Sequence, residues 1–415
     1  MPSQEHATAW NGLRVNGDRL WDDLNSLSKI GRGSRGISRL AFSPEDMEGR
    51  RWLMQRFREA GVQPRMDVYG NVFGRLEGGS GETPLILMGS HIDTVPEGGM
   101  FDGALGVLAG LECLRTLKEA GIRTTYPLEV IAFANEEGSR LGPGLFGSRA
   151  LFEGIGEDEW AKVGPVLKAA GIQDGSTAPV SPLVDPRSLR AYLELHIEQG
   201  GVLDSAGEDI GVVQGIVCIH SFHATFLGEA NHAGTTPMHN RRDALQGAAE
   251  LILAIPEIVG KDGSPVTVGT CGQVRVSPGG RNIIPGEAEI SIEVRDLDEI
   301  FAGRVIEALR VRARKIAEGR GLDLHLTPVS GTAGAMMNPE IQDAIERAAQ
   351  SLGLKTRRMA SGAGHDAMTL GKLVPTGMIF VPSKGGISHS PDEMTSKEQC
   401  TNGAQVLLET ILSLM

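Results

Sequence analysis

The chain has 415 residues, with 40 Lys plus Arg against 52 Asp plus Glu and a formal net charge of −12. A phosphate backbone or an anionic membrane is repelled by such a surface, so neither nucleic acid nor membrane is expected as a partner. Hydrophobic residues at 40 % and charged residues at 22 % are the balance of a folded protein, and this length calls for two or three structural units. Cys113, Cys218, Cys271 and Cys400 are widely spaced without a C-x-x-C pair, which fits free thiols in a reducing compartment. Any metal should then be held by histidine and carboxylate. The opening residues carry no basic stretch followed by an apolar one, and no run reaches the ~18 apolar residues of a spanning helix, so a cytoplasmic protein is expected.

The residues before about 18 form a polar leader, read as a flexible or locally packed extension. Residues 44–61 predict a helix: Pro44 and two acids open it, Trp52, Leu53 and Phe57 share a face, and Gly61 ends it. Unbroken apolar strands follow at 84–90 and 126–135, with a Gly/Ala/Leu-rich helix at 103–120 between them. This alternation predicts an α/β fold around a mixed, largely parallel sheet, with ligands beyond the carboxyl ends of its strands. From about residue 216 the pattern changes to alternating strands at 220–228, 267–276 and 287–297, with amphipathic helices near 241–254 and 299–319. One polar face per strand predicts an open antiparallel sheet with two helices, an inserted α+β domain over 216–329. Residues 1–215 and 330–415 would together build the first domain.

Several chemistry-bearing residues fall at predicted strand ends. His91, Asp93 and Asp102 lie in the Gly-rich stretch GSHIDTVPEGGMFDGALG, where Gly98, Gly99 and Gly103 let the chain bring Asp102 back towards His91. Asp102 has two oxygens and can bridge two ions, while Asp93 is suited to accept the second imidazole N–H of His91. Glu136 and Glu137 end the next strand; neighbouring side chains diverge there, so one can ligate a metal while the other handles a proton of water. His196 with Glu198 and Gln199, and His389 in a Gly/Ser loop, end two further runs. His232, in NHAGTTPM, suits either a hydrogen bond to substrate or a capping turn. Asn282 and Arg295 are similarly open, Arg295 between a carboxylate grip and a surface ion pair.

The segments GSHIDTVPEGGMFDGALGVLAG, NEEGSR, LELHIEQG, NHAGTTPM, SGAGHDA and GISHSP together resemble the amidase/hydantoinase/carbamoylase family of dinuclear metallohydrolases, related to the aminoacylase-type zinc peptidases. The resemblance runs from about Arg19 to the C-terminus. It implies two divalent ions per subunit, zinc or manganese with cobalt or nickel also suited, one held by His91, Asp102 and His196 and the other by Asp102, Glu137 and His389. It further implies Glu136 as general base and acid, with Asp93 supporting His91. Gln199, Asn282 and Arg295 would bind substrate, with Gly362, Gly364 and His365 along the same pocket. His232 would polarise the scissile carbonyl from the other subunit of a homodimer whose inserted domain dimerises and acts as a lid. The implied substrate is a small carboxylate-bearing ureido compound, first an N-carbamoyl-L-amino acid, then allantoate, N-carbamoyl-β-alanine or an N-acyl or conjugated amino acid. A dipeptide exopeptidase and a non-catalytic binding protein are the readings from other classes, and the intact ligand set argues against the second.

Overall fold

Continuous apolar runs settle at the centre of a sheet because both faces of such strands need cover. In the computed structural model, which describes residues 12–79, 84–172 and 181–415, the strands Leu85–His91, Leu128–Phe133 and Thr376–Val381 are buried throughout, and Leu189–Ile197 is buried except at Arg190. The first eleven residues of the polar leader lie outside the described residues. The four strands are parallel, in the order Leu128–Phe133, Leu85–His91, Leu189–Ile197, Thr376–Val381. Antiparallel strands flank them: Val72–Leu76 and Gln63–Met66 on one side, Ile210–Ile216 on the other. The sheet is mixed with a parallel centre, as the sequence predicts.

The helices Gly17–Leu27, Ala104–Glu119, Pro339–Ser351 and Lys397–Ser413 share one core with Ile86, Met88, Val130, Leu193 and Ile379. Side chains alternate across a strand, so His91 leaves the face that holds Ile86 and Met88. Register carries this across the sheet: His91 lies beside Phe133 and His196 beside Phe380, all near the carboxyl ends.

The helix expected at 44–61 is Pro44–Glu59, capped by the Ser43 side chain and followed by Gly61 at φ 64. Within it, Asp46 and Arg50 are fully buried and pair at 2.8 Å; Arg50 also donates to the Gly70 carbonyl (2.6 Å), and Asp46 accepts from the Phe42 N–H (2.7 Å). Truncation of Arg50 would leave a buried carboxylate without its cation. Arg50→Ala is therefore expected to cost roughly 3–5 kcal/mol, read as a lower urea midpoint at unchanged slope.

Chain contacts divide the molecule into Met1–Gln214 with Met336–Met415, and Gly215–Ala335. In the second unit Asp323–Thr332, Cys218–Leu227, Glu287–Asp296 and Val268–Ser277 form, in that order, a four-stranded antiparallel sheet. Phe222, Phe226, Ile290 and Val294 turn towards the helices Ala244–Asp262 and Glu299–Arg320, which leaves Arg295 on the other face. The first helix continues beyond the expected residue 254 and through Pro256, because Ile255 and Ile258 are buried in this core and outweigh one lost backbone bond. The alternation does not reveal Asp323–Thr332, which carries Pro328; as an edge strand it tolerates a residue without N–H.

Candidate metal centre

Four strand ends of the larger unit converge on one carboxylate. His91 Nδ1 lies 3.0 Å from the Asp93 carbonyl oxygen and His196 Nδ1 lies 2.9 Å from that of Ile197. A carbonyl only accepts, so each Nδ1 carries the hydrogen and each Nε2 presents its lone pair. Both face the same oxygen: Asp102 Oδ1 is 3.6 Å from His91 Nε2 and 3.2 Å from His196 Nε2. Asp102 Oδ2 is instead 3.2 Å from His389 Nε2, which is 3.5 Å from Glu137 Oε2. The five residues thus form two groups, His91–Asp102–His196 and Asp102–Glu137–His389, with one oxygen of Asp102 in each.

Lone pairs and carboxylate oxygens aimed at one another repel unless a proton or a metal cation lies among them. Among the described residues no lysine or arginine forms an ion pair with Asp102, Glu136 or Glu137, whose charged partners are the three histidines. The donor set fits divalent ions that accept imidazole nitrogen and carboxylate oxygen.

Asp93 works differently from the expectation. Its carboxylate is 3.9 Å from His91 Nδ1 and receives the N–H groups of Glu136 and Glu137 at 3.3 Å each, while its carbonyl holds the imidazole. One residue therefore positions both the histidine and the glutamate turn. Glu136 is buried, its Oε2 3.5 Å from His91 Nε2. Burial pushes its carboxyl well above the usual range against the pull of His91, with Asp366 and Glu137 adding to the rise. Burial and the Asp102 charge push Glu137 up to about 7. Although burial acts the other way, His196, His389 and His91 hold Asp102 well below its ordinary value. A bound cation would lower the Glu136 and Glu137 carboxyls back towards the ordinary range.

The surroundings fix these loops. Gly103 has φ 65, and a Cβ there would stand 2.4 Å from His91 Cε1, so the turn that returns Asp102 requires glycine. Glu393, which the sequence reading passes over within GISHSPDE, ties the Asp102 loop to the His389 loop: Oε1 accepts from the Phe101 and Asp102 N–H groups (2.9 and 3.1 Å) and Oε2 from Ser388 Oγ (3.0 Å). Its only sequence signal is an acid four residues after His389. Gln199 Nε2 donates to Asp102 Oδ2 at 2.9 Å, which puts its amide against the centre itself. Asn135, Gln199 and His389 have positive φ, as do Phe42, Glu97 and Leu145; the first three belong to or adjoin the residues of the centre.

Gly362 and Gly364 are exposed, with open space where a Cβ would stand, whereas His365 is buried. Its Nε2 is 3.0 Å from Ser361 Oγ and its ring lies 4.4 Å from that of His196, so it backs a histidine instead of lining a surface. Burial, then His196, push its pKa well below the ordinary value and keep it neutral. In the inserted unit, exposed His232 pairs with Ile283, and Ala233 N–H donates to the Asn282 carbonyl at 2.9 Å, which joins His232 and Asn282 on one short ribbon. His232 Nδ1 accepts from the Gly234 and Thr235 N–H groups (3.0 and 3.2 Å), so its hydrogen sits on Nε2. Arg295 lies in a concavity with His223, Gln273 and Ser291, its Nη2 2.8 Å from Glu293 Oε1.

Among the described residues no helix is long and apolar enough to cross a membrane. The family model for peptidase family M20/M25/M40 matches residues 87–413. An N-carbamoyl-L-amino acid amidohydrolase of Geobacillus stearothermophilus is 40 % identical over 408 residues, covering 96 % of this chain and 99 % of its own. An allantoate amidohydrolase of Escherichia coli K12 is 36 % identical over 379 residues, 90 % of this chain and 91 % of its own. A crystal structure of an amidase of the hydantoinase/carbamoylase family from Burkholderia multivorans superposes with a TM-score of 0.90 at 37 % identity, over 97 % of this chain and 98 % of that one. Similarity of this extent, over a cluster whose donors suit divalent ions, makes the chain a member of peptidase family M20/M25/M40, standing with its hydantoinase/carbamoylase amidases as a metal-dependent hydrolase of C–N bonds.

Proposed function

We propose that the protein hydrolyses an N-carbamoyl-L-amino acid to the free amino acid, ammonia and carbon dioxide. The observation that carries this is the nearly full-length match at 40 % identity to a relative of that name. The match to an allantoate amidohydrolase keeps allantoate as the second reading, with N-carbamoyl-β-alanine and N-acyl amino acids behind it. All these compounds pair a C–N bond at a carbonyl with a carboxylate.

In this reading His91, Asp102 and His196 hold one ion and Asp102, Glu137 and His389 the other, zinc or manganese first, cobalt or nickel also suited. Divalent ions held there supply Lewis acidity, which acidifies water and polarises a carbonyl. Glu136 takes the proton of the attacking water and passes it to the leaving nitrogen. It suits this because its backbone is fixed by Asp93 and its carboxylate stands outside both ligand groups. The Nε2–H of His232 donates to the developing oxyanion, acting from the second subunit of a homodimer. Support for dimerisation through the inserted unit comes from the long edge strand Val268–Ser277, where Val268 and Val274 are exposed. We place the enzyme in the cytoplasm.

In the same reading Arg295 grips the substrate carboxylate, Asn282 and Gln199 hydrogen-bond its polar atoms, and Gly362 and Gly364 contribute to substrate binding. His365 acts through His196. Arg295→Ala is expected to raise KM roughly ten- to a hundredfold at unchanged metal content; a loss of metal with unaltered KM would remove the anchor assignment.

The direct test is ammonia and amine release from N-carbamoyl-L-amino acids, N-carbamoyl-β-alanine, allantoate and N-acyl amino acids, using stripped enzyme with and without manganese or zinc. Metal-dependent ammonia release from carbamoyl amino acids is the expected result. Amine release from acyl compounds alone would move the enzyme to the aminoacylase side, and no release from any compound would overturn the proposal.

A further inference from the structure

Cys218 and His220 stand two residues apart at the start of the strand Cys218–Leu227, so their side chains share the helix-facing side of the inserted sheet. Glu299 is the first residue of the helix Glu299–Arg320 packed on that side. A thiol, an imidazole nitrogen and a carboxylate oxygen from these residues all lie within 4.8 Å of one another; His220 Nε2–H donates to Glu299 Oε2 at 2.6 Å, and that hydrogen would move to Nδ1 when Nε2 takes an ion. The thiol is fully buried at the base, while the side chains of His220 and Glu299 are 35 % and 51 % exposed at the rim. Solvent therefore reaches the two donors at the rim, from which water can complete a ligand set. The nearby Asp296 is not available, since its carboxylate accepts from Ser264 and Thr267. Among the described residues Cys218 is the one thiol that meets two further ligand groups.

We infer that Cys218, His220 and Glu299 form a third metal site, which binds one thiophilic divalent ion of the zinc class apart from the paired centre. Three protein donors of sulfur, nitrogen and oxygen type with one open position make a tetrahedral set for zinc or cobalt(II), whereas manganese prefers oxygen donors. The ion ties the first residues of a central strand to the first turn of the helix lying on it. Binding of the ion displaces the Cys218 thiol proton into solvent as the sulfur–metal bond forms. The expectation that histidine and carboxylate alone hold metal in this chain is thereby extended to one cysteine.

The test is titration of the metal-stripped full-length chain with cobalt(II), followed by absorption. A thiolate-to-cobalt charge-transfer band in the near ultraviolet is expected, which the histidine and carboxylate donors of the paired centre cannot produce. Cys271→Ser should keep the band and Cys218→Ser should lose it. His220→Ala alters a half-exposed side chain and tests the same site independently of any folding defect in Cys218→Ser; its apparent cobalt affinity should fall at least tenfold. Zinc should bleach the band and manganese should leave it. No band in the unaltered protein, a band that survives Cys218→Ser, or one that His220→Ala leaves unweakened would overturn the site.

Discussion

Glu136→Gln is expected to retain its metal and its fold while kcat falls by about two to four orders of magnitude, the range set by loss of a positioned proton carrier. The substitution keeps the volume and the backbone N–H that Asp93 accepts, and it removes no member of either ligand group. KM should change little, because Glu136 acts on the attacking water and the leaving nitrogen and not on the substrate carboxylate. Metal analysis and steady-state kinetics on one preparation decide the matter. Substantial residual turnover at full metal occupancy would take the proton-carrying role away from Glu136, whereas metal loss would make it a ligand.

Asp102→Ala should have the larger effect on metal content, because one side chain belongs to both groups. Its Oδ1 faces His91 and His196 and its Oδ2 faces His389, so truncation takes a donor from each group at once. Any ion held by either group should be lost on desalting, and activity with it. Linkage gives a second readout: an ion at a hundred times its Kd stabilises the protein by about 2.7 kcal/mol. The unaltered chain should therefore gain thermal stability on metal addition and the variant should gain none from the paired centre. His389→Ala makes the contrast, since it touches only the Asp102–Glu137–His389 group and should spare the other ion. A variant lacking Asp102 that still held two ions would rule out a bridging carboxylate.

Much of the architecture was legible in the sequence because burial leaves a local trace. Strands covered on both faces read as unbroken apolar runs, as at Leu85–His91 and Leu128–Phe133, and strands with one polar face read as alternation, as at Glu287–Asp296. The same rule placed His91, Glu136, Glu137, His196 and His389 at strand ends. It could not find Asp323–Thr332, where Pro328 interrupts the pattern, nor carry the helix Ala244–Asp262 past Pro256, because tertiary burial overrides a local breaker.

The sequence by itself determined the class of fold, the order of its elements and the residue types at the centre. What only the tertiary structure decided is which atoms meet. Glu393 reaches the Asp102 N–H across 291 residues, Asp93 holds His91 by its carbonyl and the glutamate turn by its carboxylate, and the two oxygens of Asp102 divide between the His91–His196 pair and His389. Glu299 likewise meets Cys218 and His220, neighbours on one strand face, only through the packing of its helix on the sheet. Periodicity reports whether a side chain is covered and nothing about what covers it, so contacts between residues far apart in the chain are set by the packing of whole elements.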